Sequence, residues 1–148
     1  MALRFVVLHH TGWPGRPDHY DLLLQTEAGE SDFDLVLKTF ASLTDEFPDG
    51  RSHSDTKARG VESGDPAHKA NLLKLLTDHR RAYLTLEGPL SDNRGAVTRV
   101  DGGSFEFLGA PDPGWQAPRF TLGGEKLKGD FRLRHMGGGI YSFERLKR

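Results

Sequence analysis

Short runs of alternating apolar and polar residues recur along this chain, set apart by glycine and proline. A period of two puts one face of a strand on a core and the other in solvent. On that signal strands are predicted at about 3–9, 19–25, 33–40, 81–87, 94–101, 104–108, 119–123, 128–134 and 139–146. Phe131 with Leu133, and Ile140 with Ser142, mark the expected buried faces of the last two. One stretch breaks the pattern. Asp65-Pro66 reads as the N-cap and first turn of a helix, and Leu72, Leu73, Leu75 and Leu76 then line a helical face to about Thr77. Residues 44–64 are polar, almost without large apolar side chains, and are expected to form a long loop, mobile or functional. Many short strands with one short helix predict a mainly β fold, a compact antiparallel β-barrel of about eight strands whose closure removes exposed edges.

Composition narrows the class. With 148 residues, 36% of them hydrophobic, the chain is expected to form one domain, 1–148, with a substantial core. Eighteen glycines and eight prolines make it turn-rich without reaching the range of disordered chains. There is no cysteine, which excludes disulfides and thiolate metal sites. No apolar run approaches a membrane span and no signal-peptide pattern opens the chain, so a cytoplasmic monomer without a membrane partner is expected. A net charge of -1 argues against a broad duplex-binding surface but leaves room for a small footprint on a strand end.

Chemistry-bearing residues concentrate in two segments. His19 and Asp21, two apart on a strand, point to one side, and His10, at the end of the Phe5-Val6-Val7-Leu8 run, can arrive beside them. Two imidazoles and a carboxylate suit a divalent transition metal. Later, in Asp78-His79-Arg80-Arg81-Ala82-Tyr83, His79 and Tyr83 share a face on a strand or a helix, and would supply a proton-transfer group and a hydroxyl donor. The plain alternatives stay open at this stage. Any one histidine here can be a surface or satisfied residue, as is expected for His53, His68 and His135, while His9 can face outward. Tyr83 can be half-buried packing. Lys126 and Lys128 fit a solvated turn better than a phosphate contact, whereas Arg80, Arg81 and Arg94 flank the chemistry.

Five segments, taken in order, carry a resemblance. They are Phe5-Val6-Val7-Leu8-His9-His10 with His19-Tyr20-Asp21; Leu37-Lys38-Thr39-Phe40; Asp78-His79 with Tyr83 and Glu87-Gly88; Arg94-Gly95-Ala96-Val97 with Asp101-Gly102; and Gly124-Glu125-Lys126-Leu127-Lys128-Gly129. Together they resemble the 3′-phosphoesterase domain found in bacterial DNA ligase D and in free-standing bacterial and archaeal relatives. The resemblance implies a β-barrel that holds manganese, with Zn or Co as other options, on His10, His19 and Asp21. It implies that His79 and Tyr83 contact the scissile phosphate. It also implies removal of a 3′-terminal ribonucleoside and then a 3′-phosphate from a DNA or RNA-tipped primer end, with a separate ligase or polymerase acting in trans.

The departures from the family pattern are as specific as the matches. The family's phosphate-binding Arg, two residues after the Asp, is Leu23 here. The Lys of its Pro-Lys-Gly turn has no counterpart in Ala41-Ser42-Leu43-Thr44, and a second family Arg falls at Asn71. The gap between His10 and His19 is longer, filled by Thr11-Gly12-Trp13-Pro14-Gly15-Arg16-Pro17-Asp18. Lys38, Arg81 or Arg94 would have to neutralise phosphate charge in place of the missing Arg. The expected function is a metal-dependent phosphoesterase on nucleic-acid 3′ ends, in DNA repair. The alternatives are a non-catalytic binder of nucleic-acid ends or phosphorylated ligands with a vestigial metal site, and a phosphoesterase for some smaller ester.

Overall fold

Among the described residues ten strands alternate with turns, and eight of them close into one antiparallel barrel. The computed structural model describes residues 2–51, 69–110 and 112–147. The strands are β1 (Leu3–Thr11), β2 (His19–Gln25), β3 (Leu35–Ser42), β4 (Leu72–Leu75), β5 (His79–Arg80), β6 (Gly88–Pro89), β7 (Ala96–Phe107), β8 (Arg119–Gly123), β9 (Lys128–Gly137) and β10 (Ile140–Arg145). The ring runs β1-β2-β3-β4-β10-β9-β8-β7, and β7 pairs back onto β1, so every barrel strand has two neighbours. The short β5 and β6 add to β3 and β7 outside the ring.

All eight barrel strands send side chains into one interior cluster, which includes Phe5, Leu22, Phe40, Leu73, Phe105, Phe120, Phe131 and Phe143. Phe131 and Leu133 face this interior as expected, but on β10 the inward residues are Tyr141 and Phe143 rather than Ile140 and Ser142. A second apolar layer lies outside the ring. Val6, Leu8, Leu23, Leu37 and Val97 back the outer face of β7-β1-β2-β3, and Tyr83 and Leu84 cover them. Strands β1 and β2 are therefore buried on both faces.

Two elements differ from expectation. The predicted helix to Thr77 is absent where it can be seen: Lys69–Asn71 is a single 3-10 turn and Leu72–Leu75 is β4, while Asp65-Pro66 lies outside the described residues. The leucines that mimic a helical face are claimed instead by ladders to β3 and β10 on either side. The predicted strand at 81–87 does not form: Arg81–Leu84 is a 3-10 turn followed by irregular chain, which is what lays Tyr83 and Leu84 on the outer layer. Of the loop expected at 44–64, residues 52–64 lie outside the described residues. The rest is tied down: Phe47 packs on the core, and Asn71, buried, receives Gly50 N–H at 2.9 Å and donates to the Arg51 carbonyl at 2.6 Å.

Two of the segments that carry the resemblance meet in a structural staple. Buried Asp101 accepts the backbone N–H groups of Glu125, Lys126 and Leu127 at 2.9, 3.2 and 2.8 Å, which fixes the β8–β9 turn. Among the described residues no helix is long and apolar enough to cross a membrane.

Candidate metal centre

Strand pairing builds the centre. In the β1–β2 ladder His10 stands directly opposite His19, and Leu8 opposite Asp21. Alternation sends His9 and Tyr20 to the interior side, stacked at 4.3 Å, and leaves His10, His19 and Asp21 on the outer face. The site therefore lies on the outside wall of the barrel. All three residues are buried, at 6%, 7% and 5% exposure.

Each histidine has one ring nitrogen committed and one free. His10 Nε2 is 2.6 Å from the Arg94 carbonyl, and His19 Nδ1 is 3.0 Å from that of Pro17. A carbonyl only accepts, so each of these nitrogens carries the hydrogen and the opposite nitrogen keeps its lone pair. Those free nitrogens converge on Asp21: His10 Nδ1 is 3.6 Å from Oδ2 and His19 Nε2 is 3.2 Å from Oδ1. Despite that proximity, Asp21 Oδ1 has no aligned hydrogen bond, an orphan in a buried site. One donor atom from each residue lies within 4.8 Å of the other two. Two imidazole lone pairs and an unpartnered carboxylate oxygen at this spacing fit a divalent cation.

Burial works to raise the Asp21 pKa, but the two imidazoles, in their protonated form, outweigh it and hold the carboxyl below its usual range. Burial works to lower that of His19, and the Asp21 carboxylate and Pro17 carbonyl outweigh it, so the net shift is upward.

A cavity of about 600 Å³ opens beside the triad. His79 and Tyr83 form its far wall, with their rings edge to face at 5.0 Å. His79 Nδ1 is fixed on the Thr77 carbonyl at 2.9 Å, which leaves Nε2 for a ligand. Arg94 lines the same cavity, and Gly95 beside it is a position only glycine can fill. Its φ is +81°, and a Cβ there would stand 2.1 Å from the Thr11 carbonyl oxygen. That close approach is what brings the Arg94 carbonyl to His10.

Of the residues singled out from the sequence, His10, His19, Asp21, His79, Tyr83 and Arg94 meet in this cavity. Lys38 and Arg81 do not line it. Lys38 Nζ lies over the Trp115 ring at 4.9 Å, and Arg81 is engaged with Asp32 at 3.4 Å and the Gly29 carbonyl. Leu23 shares the face of His19 and Asp21 but is fully buried in the layer beneath Tyr83. Two cavity residues escaped the sequence reading, Trp13 and Arg16, both in the loop between the ligand strands. Their only signal was the extra length of that loop. No protein-family model matches this sequence, and no curated protein matches it.

Proposed function

We propose that this chain is a metal-dependent phosphoesterase acting on the 3′ ends of nucleic acid, removing a 3′-phosphate or a 3′-terminal ribonucleoside in cytoplasmic DNA repair. One observation carries the reading: a buried two-histidine, one-carboxylate set with its lone pairs free opens into the same cavity as a histidine and tyrosine pair. The order of the matching sequence segments supports the family, and the donor set suits manganese, with Zn or Co as substitutes. When bound, the ion supplies Lewis-acid polarisation of a phosphoryl oxygen.

The chain's own residues do the rest. His10 and His19 are held in one tautomer and one orientation by backbone carbonyls, so the ligand set needs no rearrangement. The Tyr83 hydroxyl, without a hydrogen-bond partner among the described residues, donates to a non-bridging phosphate oxygen. His79, with Nδ1–H on the Thr77 carbonyl, delivers a proton from Nε2 to the leaving oxygen when the ring is charged, while a water oxygen bonds to phosphorus in its place. Burial of Tyr83 and the apolar wall at Leu90 limit water on that side.

A primer-template bearing a 3′-phosphate or a terminal ribonucleotide, incubated with and without manganese, tests the reading. Metal-dependent release of phosphate or nucleoside is expected. Binding of such ends without turnover would favour a non-catalytic binder, for which buried Leu23 and the averted Lys38 already speak. Turnover confined to small phosphate esters would leave the chemistry and change the substrate.

A further inference from the structure

The cavity holds a cation that the mechanism above leaves idle. Arg16, from the loop joining β1 and β2, lies over the Trp13 ring with Cζ 4.4 Å from its centroid. Trp13 stacks in turn on the ligand His10, at 5.2 Å and 25° between planes. The Arg16 backbone N–H donates to the Trp13 carbonyl at 3.0 Å, but its guanidinium makes no hydrogen bond or ion pair among the described residues beyond its stacking on Trp13. Arg94, the other guanidinium in the cavity, is tied to its own turn, with Nε 2.9 Å from the Ser91 carbonyl and Nη2 3.0 Å from Ser91 Oγ. Arg16 also lines a smaller cavity of about 190 Å³ that adjoins the first at His19, so it stands at their junction.

We propose that Arg16 is the phosphate-binding residue of this site and that Trp13 is the positioning residue that couples it to the centre. Stacking occupies the π face of a guanidinium and leaves its in-plane N–H donors free to fork onto two phosphate oxygens. Held against an indole, the side chain surrenders less rotational freedom on binding. A phosphate monoester carries a charge of about −1.5 to −2 at neutral pH, more than a divalent ion already facing the Asp21 carboxylate can balance alone. The loop between the ligand strands thus provides the charge that β2, with Leu23 buried, does not. The nature of the ligand rests on the phosphoesterase reading; the placement of Arg16 does not.

Calorimetric titration of inorganic phosphate into the manganese-loaded protein tests this apart from turnover. Arg16→Ala is expected to weaken phosphate binding about 10-fold or more while leaving manganese affinity and melting temperature unchanged. Arg16→Lys should restore only part of the loss, because an ammonium lacks the fork and stacks poorly, and Trp13→Ala should fall between. Phosphate affinity equal in wild type and Arg16→Ala overturns the proposal, as does a loss seen only in Arg94→Ala. If wild type binds phosphate but turns over no 3′ end, the phosphoesterase reading falls and the role of Arg16 stands. If loaded wild type binds no phosphate at all, both fall.

Discussion

Leu23 sits where two requirements meet. Alternation carries it to the face of His19 and Asp21, yet it packs fully buried with Val6, Leu8 and Tyr83. An unpaired guanidinium in that layer costs several kcal/mol. Leu23→Arg is therefore expected to lower the melting temperature by several degrees and to leave 3′-phosphate turnover no faster than wild type. A stable variant with a faster single-turnover rate would show instead that the side chain escapes past Tyr83 into the cavity. The ligands make a sharper test. His19→Ala and Asp21→Ala each remove one of three donors, and calorimetry is expected to show manganese binding abolished in both. His9→Ala, on the opposite face of the sheet, should bind as wild type does; full affinity in the double ligand variant would strike out the assignment. His79→Ala and Tyr83→Phe should keep the metal and lose on the order of 10²-fold in turnover, as each deletes a donor to the transition state. The convergence of His10, His19 and Asp21 was legible because strand alternation and the His10–His19 pairing both follow from local sequence. Arg16 was not legible, because a loop residue among glycines and prolines has no periodicity to say where it points.

At the scale of elements, the turn before β7 controls the centre from behind. Gly95→Ala would force a Cβ into the Thr11 carbonyl and towards Trp13 N, 2.8 Å away. The Arg94 carbonyl must then move off His10 Nε2, freeing the ring to change tautomer. Manganese affinity about 10-fold lower, with the far-UV spectrum of the barrel retained, is the expected outcome; unchanged affinity would show that the carbonyl does not orient His10. The β9–β10 hairpin offers a pH test. Glu144 accepts from Arg132 at 2.9 and 2.6 Å and from Arg134 at 3.0 and 2.7 Å. Burial works to raise its pKa, and the two guanidinium groups outweigh it and hold it below the ordinary value of 4.5. A carboxyl with a lowered folded pKa adds stability above its unfolded pKa and loses it as pH falls through the folded one. Glu144→Gln should thus melt below wild type at pH 7, with the gap closing below about pH 4; a gap that persists in acid would assign the effect to packing. Elements were misread where tertiary pairing overrode local pattern. Leu72 to Leu76 have helical spacing but lie between two strands. Gly102 and Gly103 look like a break between two strands, yet β7 runs through them, because a side chain at Gly103 would meet the Gly123 carbonyl at 2.2 Å.

For the whole molecule, the closed antiparallel barrel was legible from many short strands without a helix-forming stretch long enough to compete, and the side of the wall that carries the chemistry was not. Hydrophobic alternation distinguishes inside from outside only when one face is wet, and β1 and β2 are dry on both. That same double burial dictates where this chain can change length. Adding or deleting one residue within Phe5–Leu8 or Asp21–Leu24 would rotate the strand by half its period, turning ligands into the barrel and core residues into the cavity. Against each other the two strands keep one unbroken register from Phe5–Leu24 to His10–His19, and such a change in either would shift it. The connection between them can absorb one, since residues 12–18 have no ladder to keep in step. Growth of that connection adds new side chains directly above an unaltered centre, so the segment most open to insertion and deletion is also the one that sets what the centre can grip.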